Sequence, residues 1–382
     1  MRSVLDAAAA FGAAPFVDLD HMPRALSVNR SFARVASLAG VRGCLATWSN
    51  RVSNAAPASA EVFAAAATGL VRRIAEGSGG EAGRTLRHIE LWNEPELAYA
   101  WDPSFEPRPG LDLFFATALT TLVRLDAYRR ESANPVVKQL RFGLASFARA
   151  DTAVVALDSL DANALPGGAH APFDFVSFHS YDNDPLRIVA DIERVVAARA
   201  RSTHDRNIAL VLSEGGVHLE APSSPSTLEH ALLVSTVLAL GATLGLDRAH
   251  HSLFYDFYEG LPFGLINHSG RPTPLFHAYT LLARAMGGGA ARVPLGAPSD
   301  GRLGGGEGAI LAARDVAGKL RVLVVNRGVV ARTLRIDLGS AGANATGLLV
   351  LDDPAAEPRA VRVSGPLLDV PARAVMVVEL DG

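Results

Sequence analysis

Two glutamates stand where a buried strand is predicted to end. Glu94 follows an apolar run at residues 87–92, and Glu214 follows another at residues 208–212. A protonated and an ionised carboxyl group can supply the proton donor and the nucleophile that cleave a glycosidic bond with retention, provided that they lie about 5–5.5 Å apart. A single glutamate at a strand end is more often a solvated loop residue or a helix cap.

The tetrapeptide Trp92-Asn93-Glu94-Pro95 favours the catalytic interpretation. A polar amide and a carboxyl directly after a buried strand, held by a stiff proline, cost free energy unless they face a polar cavity. Asn93 is also suited to hydrogen-bond a sugar 2-hydroxyl, a contact that strengthens as positive charge develops on the ring. We therefore predict a polar site at the end of this strand.

The elements that must position these residues alternate along the first three quarters of the chain, which predicts βα units and a parallel sheet. Apolar runs typical of buried parallel strands lie at residues 14–19, 87–92, 140–146, 173–178, 208–212 and 252–255. Helical spacing lies at residues 61–76, 111–130, 152–160, 186–200, 227–244 and 274–286. In the first of these helices Val62, Ala66, Leu70 and Ile74 are expected to share a face.

After Met286 the pattern changes to short strand-like runs separated by turns, without a helical period. These runs lie at residues 309–313, 320–325, 334–338, 347–351, 361–363 and 375–380. They predict a small antiparallel β-sandwich. The expected organisation is a (β/α)8-type (TIM) barrel over residues 1–288 and an accessory β-sandwich over residues 289–382.

Several stretches resemble glycoside hydrolase family 39 of clan A, which contains β-xylosidases and α-L-iduronidases. Trp92-Asn93-Glu94-Pro95 is similar to the acid/base signature on the fourth barrel strand. The other stretches are Pro15-Phe16-Val17-Asp18-Leu19 with Met22-Pro23, residues 173–181 around His179, and Gly264-Leu265-Ile266 with Gly270, Pro272 and Pro274. The resemblance covers most of residues 11–290.

By that resemblance the chain would be a retaining hydrolase of a β-linked, xyloside-like glycoside, with Glu94 as general acid/base and Glu214 as seventh-strand nucleophile. Burial would keep Glu94 protonated, whereas Glu214 would stay ionised through hydrogen bonds. Tyr181 is expected to hydrogen-bond Glu214. The predicted substrate-binding residues are Asn93, His179, Tyr181, Trp101 and Tyr255, and Tyr99 is a further aromatic candidate.

The sequence also departs from the family pattern. Glu96 replaces an Asn, Gly215-Gly216 replaces an aromatic residue and an Asn, and Ser252 stands near the place of an eighth-strand tryptophan. If residues 14–19 are the third strand, the barrel lacks its first two βα units. An incomplete barrel exposes sheet edges, so we hypothesise that the chain is N-terminally truncated or completes its barrel in some other way.

Two other functions are open at this point. The altered nucleophile loop and the incomplete barrel are consistent with an inactive, truncated carbohydrate-binding relic of the same fold. The residues His179, Asp182 and His218 would suit a metal-dependent barrel enzyme, although their spacing is not a specific metal signature. The preferred reading requires no cofactor and no metal.

Bulk properties exclude several classes of partner. The net charge is −3 over 382 residues, without a basic stripe, which argues against nucleic acid and anionic membranes. Cys44 is the single cysteine, so an internal disulfide is excluded and the side chain is expected to be buried. The partner is expected to be a glycoside or oligosaccharide. A cytoplasmic location is favoured, and secretion stays open because truncation would remove a signal peptide.

Overall fold

The computed structural model of the protein describes residues 10, 14–19, 57–77, 85–97, 111–162, 165, 170–203, 207–217, 228–251, 264–287, 289–296, 301–335, 344–353, 357–361 and 367–381. The contacts divide the chain into two compact units. The first comprises Met1–His179 and Ala197–Val211, and the second comprises Ser180–Val196 and Leu212–Gly382.

Within the described residues, six strands hydrogen-bond in the order in which they occur along the chain. They are β1 (Phe16–Asp18), β2 (His88–Glu90), β3 (Arg141–Phe147), β4 (Phe175–Tyr181), β5 (Ala209–Gly216) and β6 (Arg248–Ala249). The pairs from β1 to β4 run parallel. Five of the predicted strands are thereby confirmed, whereas the predicted strand at residues 252–255 lies outside the described residues.

All six predicted helices are present, with ends within two residues of those expected. They are α1 (Ala60–Gly77), α2 (Asp112–Glu131), α4 (Ala150–Ala162), α5 (Pro185–Arg201), α6 (Leu228–Leu244) and α7 (Pro274–Met286). The short helix α3 (Pro135–Lys138) was not predicted. It begins with a proline after Asn134, whose side chain accepts a hydrogen bond from the Val136 N–H at 2.9 Å.

The predicted buried face of α1 is wrong at three of its four positions. Val62, Ala66 and Leu70 are exposed, and only Ile74 is buried. The core is instead contacted by Phe63, whose ring centroid lies 6.2 Å from that of Trp92. Because α1 is rich in alanine, its apolar pattern fits more than one face, and the aromatic ring determines which face is buried.

In the first unit a buried ion pair joins α2 to the sheet. Asp174 Oδ2 accepts hydrogen bonds from Arg129 Nη1 at 2.6 Å and from the Phe142 N–H at 2.9 Å. Burial lowers the pKa of Arg129, but the charges of Asp174 and Asp126 outweigh this and raise it. The pairing compensates for the cost of burying the charge.

The register of β3 against β4 shifts between Gly143 and Ser146. Gly143 pairs with Phe175, and a Cβ at Gly143 would lie 2.1 Å from the Phe175 ring. A glycine is therefore required where the phenyl ring crosses β3. The shift matters for the site, because Ser146 contacts the segment that carries Glu94.

In the second unit, seven strands form an antiparallel sheet in the order β13-β12-β15-β10-β9-β7, with β8 paired to β9, while β11 and β14 form a separate pair. The strands are β7 (Ala291–Val293), β8 (Arg302–Leu303), β9 (Gly308–Arg314), β10 (Leu320–Asn326), β11 (Arg332–Arg335), β12 (Asn344–Leu351), β13 (Arg359–Val361), β14 (Leu367–Val370) and β15 (Ala374–Asp381). Each of the six predicted runs overlaps one of them, and β7, β8 and β14 were not predicted.

Both faces of this sheet are covered, which explains the continuous apolar runs of β10 and β15. Leu323 and Val377 belong to a core cluster with residues of α6 and α7. Val324 and Met376 belong to a second cluster with residues of β11 and β14. The boundary predicted at residue 288 stays a prediction. No helix in the described part of the chain is long and apolar enough to cross a membrane.

Candidate active site

The segment after β2 continues along β3 and carries Glu94. Asn93 forms an isolated parallel bridge with Ser146. The Glu94 N–H donates to the Ser146 carbonyl at 2.6 Å, and the Ser146 N–H donates to the Trp92 carbonyl at 2.8 Å. Trp92 is 1% exposed. The backbone around Glu94 is therefore fixed by the hydrogen bonds to Ser146 of β3 and by the buried side chain of Trp92.

Glu94 has a left-handed backbone conformation, with φ at 50°. A non-glycine residue in this region costs of order 1–3 kcal/mol, and such residues cluster at functional sites. The Glu94 carbonyl accepts a hydrogen bond from the Leu97 N–H at 2.9 Å, which closes a turn over the buried Pro95. These hydrogen bonds compensate for the strain at Glu94.

The Glu94 carboxyl group contacts a buried histidine in the same unit. Glu94 Oε1 lies 2.8 Å from His179 Nδ1, with His179 1% exposed and Glu94 14% exposed. The hydrogen bond is possible with the proton on the imidazole or on the carboxyl group. This pair can therefore hold a proton in either of two places, as general acid/base catalysis requires.

Glu214 lies near the end of β5 and has a different partner. The Tyr181 hydroxyl donates to Glu214 Oε2 at 2.5 Å, as the sequence predicted. This hydrogen bond fixes the position of the Glu214 carboxyl group relative to Tyr181.

The partners of the two glutamates are both residues of β4. His179 contacts Glu94 within the first unit, and Tyr181 contacts Glu214 within the second. In the second unit the Ser180 hydroxyl donates to Asp191 Oδ2 at 2.5 Å, which joins β4 to α5.

The glycines after Glu214 permit close packing in the second unit. Gly216 has φ at 148°, and a Cβ there would lie 2.9 Å from His230 Nε2. Its carbonyl accepts a hydrogen bond from the Asp182 N–H at 3.0 Å. The Gly215-Gly216 departure noted in the sequence thus has a local cause, since a bulkier residue at position 216 would be strained and would meet the buried imidazole.

Glu96, the other departure near the acid, is engaged locally. Its Oε1 accepts a hydrogen bond from the Arg149 N–H at 3.0 Å. Burial raises the pKa of Glu96, although hydrogen bonds from its own N–H, from Ala148, Thr152 and Arg149 act in the opposite direction. Glu96 therefore orders the loop after Pro95 through its hydrogen bonds.

Among the described residues no group of three or more histidine, cysteine or acidic side chains could hold a metal ion. Asp182 accepts a hydrogen bond from the Asp184 N–H at 2.8 Å and pairs with Arg187 at 3.5 Å. His179 is engaged with Glu94. His218, the third residue of the metal hypothesis, lies outside the described residues.

Several candidate residues are not described by the structure. Trp101, Tyr99, Tyr255 and Cys44 lie outside the described residues. For Asn93 the contact with a sugar hydroxyl stays a prediction.

Sequence reasoning missed Ser146, which holds the Glu94 backbone, and the buried pair Glu90 and Ser177 beneath it. The alternation of His88 and Glu90 with apolar residues in β2 was a usable signal, because it indicates a polar inner face.

Similarities to known proteins agree with the sequence motifs. No family model matches the chain. A β-xylosidase of Caldicellulosiruptor saccharolyticus is 24% identical over 308 residues, which is 75% of this chain and 56% of the relative. The chain thus spans little more than half the length of that curated protein.

Solved structures resemble the chain over almost its whole length. A monomeric β-xylosidase from Caulobacter crescentus has a TM-score of 0.67 at 18% identity, covering 99% of this chain and 83% of that one. A GH39 enzyme from Xanthomonas axonopodis pv. citri has the same TM-score at 20% identity, covering 99% and 81%. The resemblance to family 39 is confirmed, and the fold is of the α/β barrel type.

Proposed function

We propose that this protein is a retaining glycoside hydrolase in which Glu94 is the general acid/base and Glu214 the nucleophile. One observation carries the proposal. The two glutamates bond to alternate residues of β4, one to an imidazole that can exchange a proton and the other to a phenol that donates one. Retaining hydrolysis needs this division between two carboxyl groups.

In the proposed first step, Glu94 transfers its proton to the glycosidic oxygen while Glu214 attacks the anomeric carbon. The bond to the leaving group breaks, and a glycosyl ester forms on Glu214. In the second step, Glu94 takes a proton from water, whose oxygen attacks the same carbon and releases Glu214. His179 supports the change of protonation at Glu94, and Tyr181 stabilises Glu214 before attack and after release.

The proposed substrate is a β-linked xyloside or a similar glycoside. The relatives named above, a β-xylosidase by sequence and another by structure, support this class. The reaction as written uses two carboxyl groups and water, and it needs neither a metal nor an organic cofactor. We further propose that residues 289–382 form the β-sandwich that accompanies the barrel.

The roles are tested by replacing each glutamate and adding azide. Glu214→Ala should abolish hydrolysis of aryl β-xylosides. Glu94→Ala should accumulate glycosyl-enzyme from substrates with good leaving groups, and azide should release a β-glycosyl azide, identified by NMR. Glu193→Ala is the control, because Glu193 is an exposed glutamate paired with Arg302, and its turnover should equal that of the wild type.

An inverted azide product would refute the assignment of roles. Sugar binding by calorimetry, with no turnover across a panel of aryl glycosides, would instead favour the carbohydrate-binding relic.

A further inference from the structure

The segment that carries Glu94 is attached twice to the part of the chain where β3 ends and α4 begins. The first attachment is the hydrogen bond from the Glu94 N–H to the Ser146 carbonyl at 2.6 Å. The second lies two residues further on, where Glu96 Oε1 accepts a hydrogen bond from the Arg149 N–H at 3.0 Å. Pro95 between the two attachments is buried. Glu94 is therefore followed, as well as preceded, by a bond to its neighbouring elements.

The second attachment is also an N-terminal cap of α4. The Arg149 carbonyl accepts hydrogen bonds from the N–H groups of Thr152 at 3.1 Å and Ala153 at 3.2 Å, which makes Arg149 the N-cap residue. An arginine side chain only donates hydrogen bonds, so it cannot accept from the first N–H groups of the helix. In a capping box, a glutamate at the third helical position accepts from the N–H of the N-cap residue. Thr152 occupies that position here, and Glu96 supplies the carboxyl oxygen from the loop.

This cap bears on the strain at Glu94. The φ of Glu94 is 50°, and a residue other than glycine keeps a left-handed conformation only where the surrounding structure holds it. With its N–H bonded to Ser146, the backbone of Glu94 could still relax by a movement of the residues that follow it. The bond from Arg149 to Glu96 opposes that movement, because α4 is a helix of 13 residues that packs against β3.

We propose that Glu96 is a positioning residue for Glu94. Its carboxyl group ties the segment after Pro95 to the N-terminus of α4, and this tie keeps Glu94 in its left-handed conformation. A cap that served α4 alone would leave the Glu94 backbone unchanged on its removal, so the two roles are separable by experiment. The effect of Glu96 on catalysis rests on the proposed function, whereas its hold on the backbone does not.

The hold on the backbone is tested by hydrogen exchange at single amides, measured by NMR. Glu96→Ala removes the acceptor, so exchange of the Glu94 N–H should accelerate about tenfold or more, the factor that corresponds to the loss of a typical helix cap. Glu96→Gln keeps an acceptor oxygen, so its exchange rate should stay within about twofold of the wild type. Acceleration confined to the amides of α4 in Glu96→Ala would overturn the inference.

Asn134→Ala is the matched control for a general loss of stability. Asn134 caps α3 in the same unit, where its side chain accepts a hydrogen bond from the Val136 N–H at 2.9 Å. This variant also removes one helix cap, but at a different helix, so exchange of the Glu94 N–H should stay close to that of the wild type. Equal acceleration in the two alanine variants would overturn the positioning role.

Kinetics on matched aryl glycosides provide a readout that loss of a helix cap alone would not change. Glu96→Ala should lose about 10- to 100-fold in kcat on substrates with poor leaving groups, which depend most on a well-placed acid, and little on activated ones. Glu96→Gln should restore turnover, and Asn134→Ala should resemble the wild type. A uniform loss on all substrates would overturn the positioning role. If the wild type hydrolyses no glycoside, the proposed function fails, while the exchange results still decide the hold on the backbone.

Discussion

The surroundings of Glu94 and Glu214 differ more than their sequence contexts suggest. Glu94 has a left-handed backbone fixed to β3, and its carboxyl group meets an imidazole. Glu214 lies within β5, is followed by two glycines, and meets a phenol. The comparison teaches that the two carboxyl groups differ in their hydrogen-bonding partners, and under the proposed function this difference separates the group that exchanges a proton from the nucleophile.

The largest expected effect comes from removing the phenol. Tyr181→Phe deletes a donor to Glu214 Oε2 while preserving the ring, and loss of one donor that stabilises charge in an active site costs about 10²–10³-fold in kcat. We expect a loss of about 10²-fold for good and poor leaving groups alike, measured on matched aryl glycosides. A loss confined to substrates with poor leaving groups would indicate that Tyr181 acts with Glu94 rather than with Glu214. That result would contradict the distinction between the two glutamates.

The next effect concerns the backbone that follows Glu214. Gly216→Ala should lower the free energy of unfolding by about 2 kcal/mol, because φ is 148° and the new methyl group meets His230. Gly69→Ala is the control, since Gly69 lies in α1 with no atom within 4 Å of an added Cβ, and it should stabilise by about 0.5–1 kcal/mol. Denaturant unfolding measures both, and equal shifts would contradict the packing argument.

Replacing the imidazole of His179 should have a smaller effect. Unlike the effect of Tyr181→Phe, it should depend on the leaving group of the substrate. Glutamine keeps polar atoms near Glu94 but does not exchange a proton, so His179→Gln should lose about tenfold on poor leaving groups and little on good ones. His88→Gln is the control, because His88 is buried on β2 but stacks on Phe16 with ring centroids 5.6 Å apart. A uniform loss on all substrates would remove the distinction between the two sites.

The smallest effect concerns Glu96 beside the acid. Burial raises its pKa, so the wild type loses stability relative to Glu96→Gln as pH rises from below about 4.5 through the folded-state pKa. We expect Glu96→Gln to match the wild type in free energy of unfolding at acidic pH and to exceed it at neutral pH, because glutamine keeps an acceptor for the Arg149 N–H and carries no buried charge. Thermal unfolding across this range checks the sign, and a variant that is less stable at neutral pH would contradict it.

The helices and strands could be predicted because the apolar residues that each of them buries lie in one continuous stretch of sequence. Helix α5 (Pro185–Arg201) was predicted at residues 186–200, and β10 (Leu320–Asn326) at residues 320–325. The predicted buried face was wrong on α1, because this alanine-rich helix has more than one apolar face. Phe63 rather than Val62 is buried there. Short edge strands such as β7 were missed because each buries few residues.

Individual residues of the site could be predicted from the sequence, but most of the contacts between them could not. Glu94 and Glu214 were identified by their position after apolar runs, and the Tyr181 hydrogen bond followed from the family resemblance. The pairing of His179 with Glu94 depends on how β4 lies relative to the end of β2, which no local pattern records. The same holds for Ser177, because a bulge in β3 sets which residue it meets.

The left-handed conformation of Glu94 also affects how this sequence can drift under mutation. Glycine adopts such a φ without steric cost, so Glu94→Gly is expected to relax a backbone that most other side chains at this position would leave strained. Under the proposed function, loss of the acid by that route would stabilise the fold and abolish turnover, the usual trade-off between activity and stability. Selection for stability alone would then remove the glutamate, and only selection for turnover would keep it.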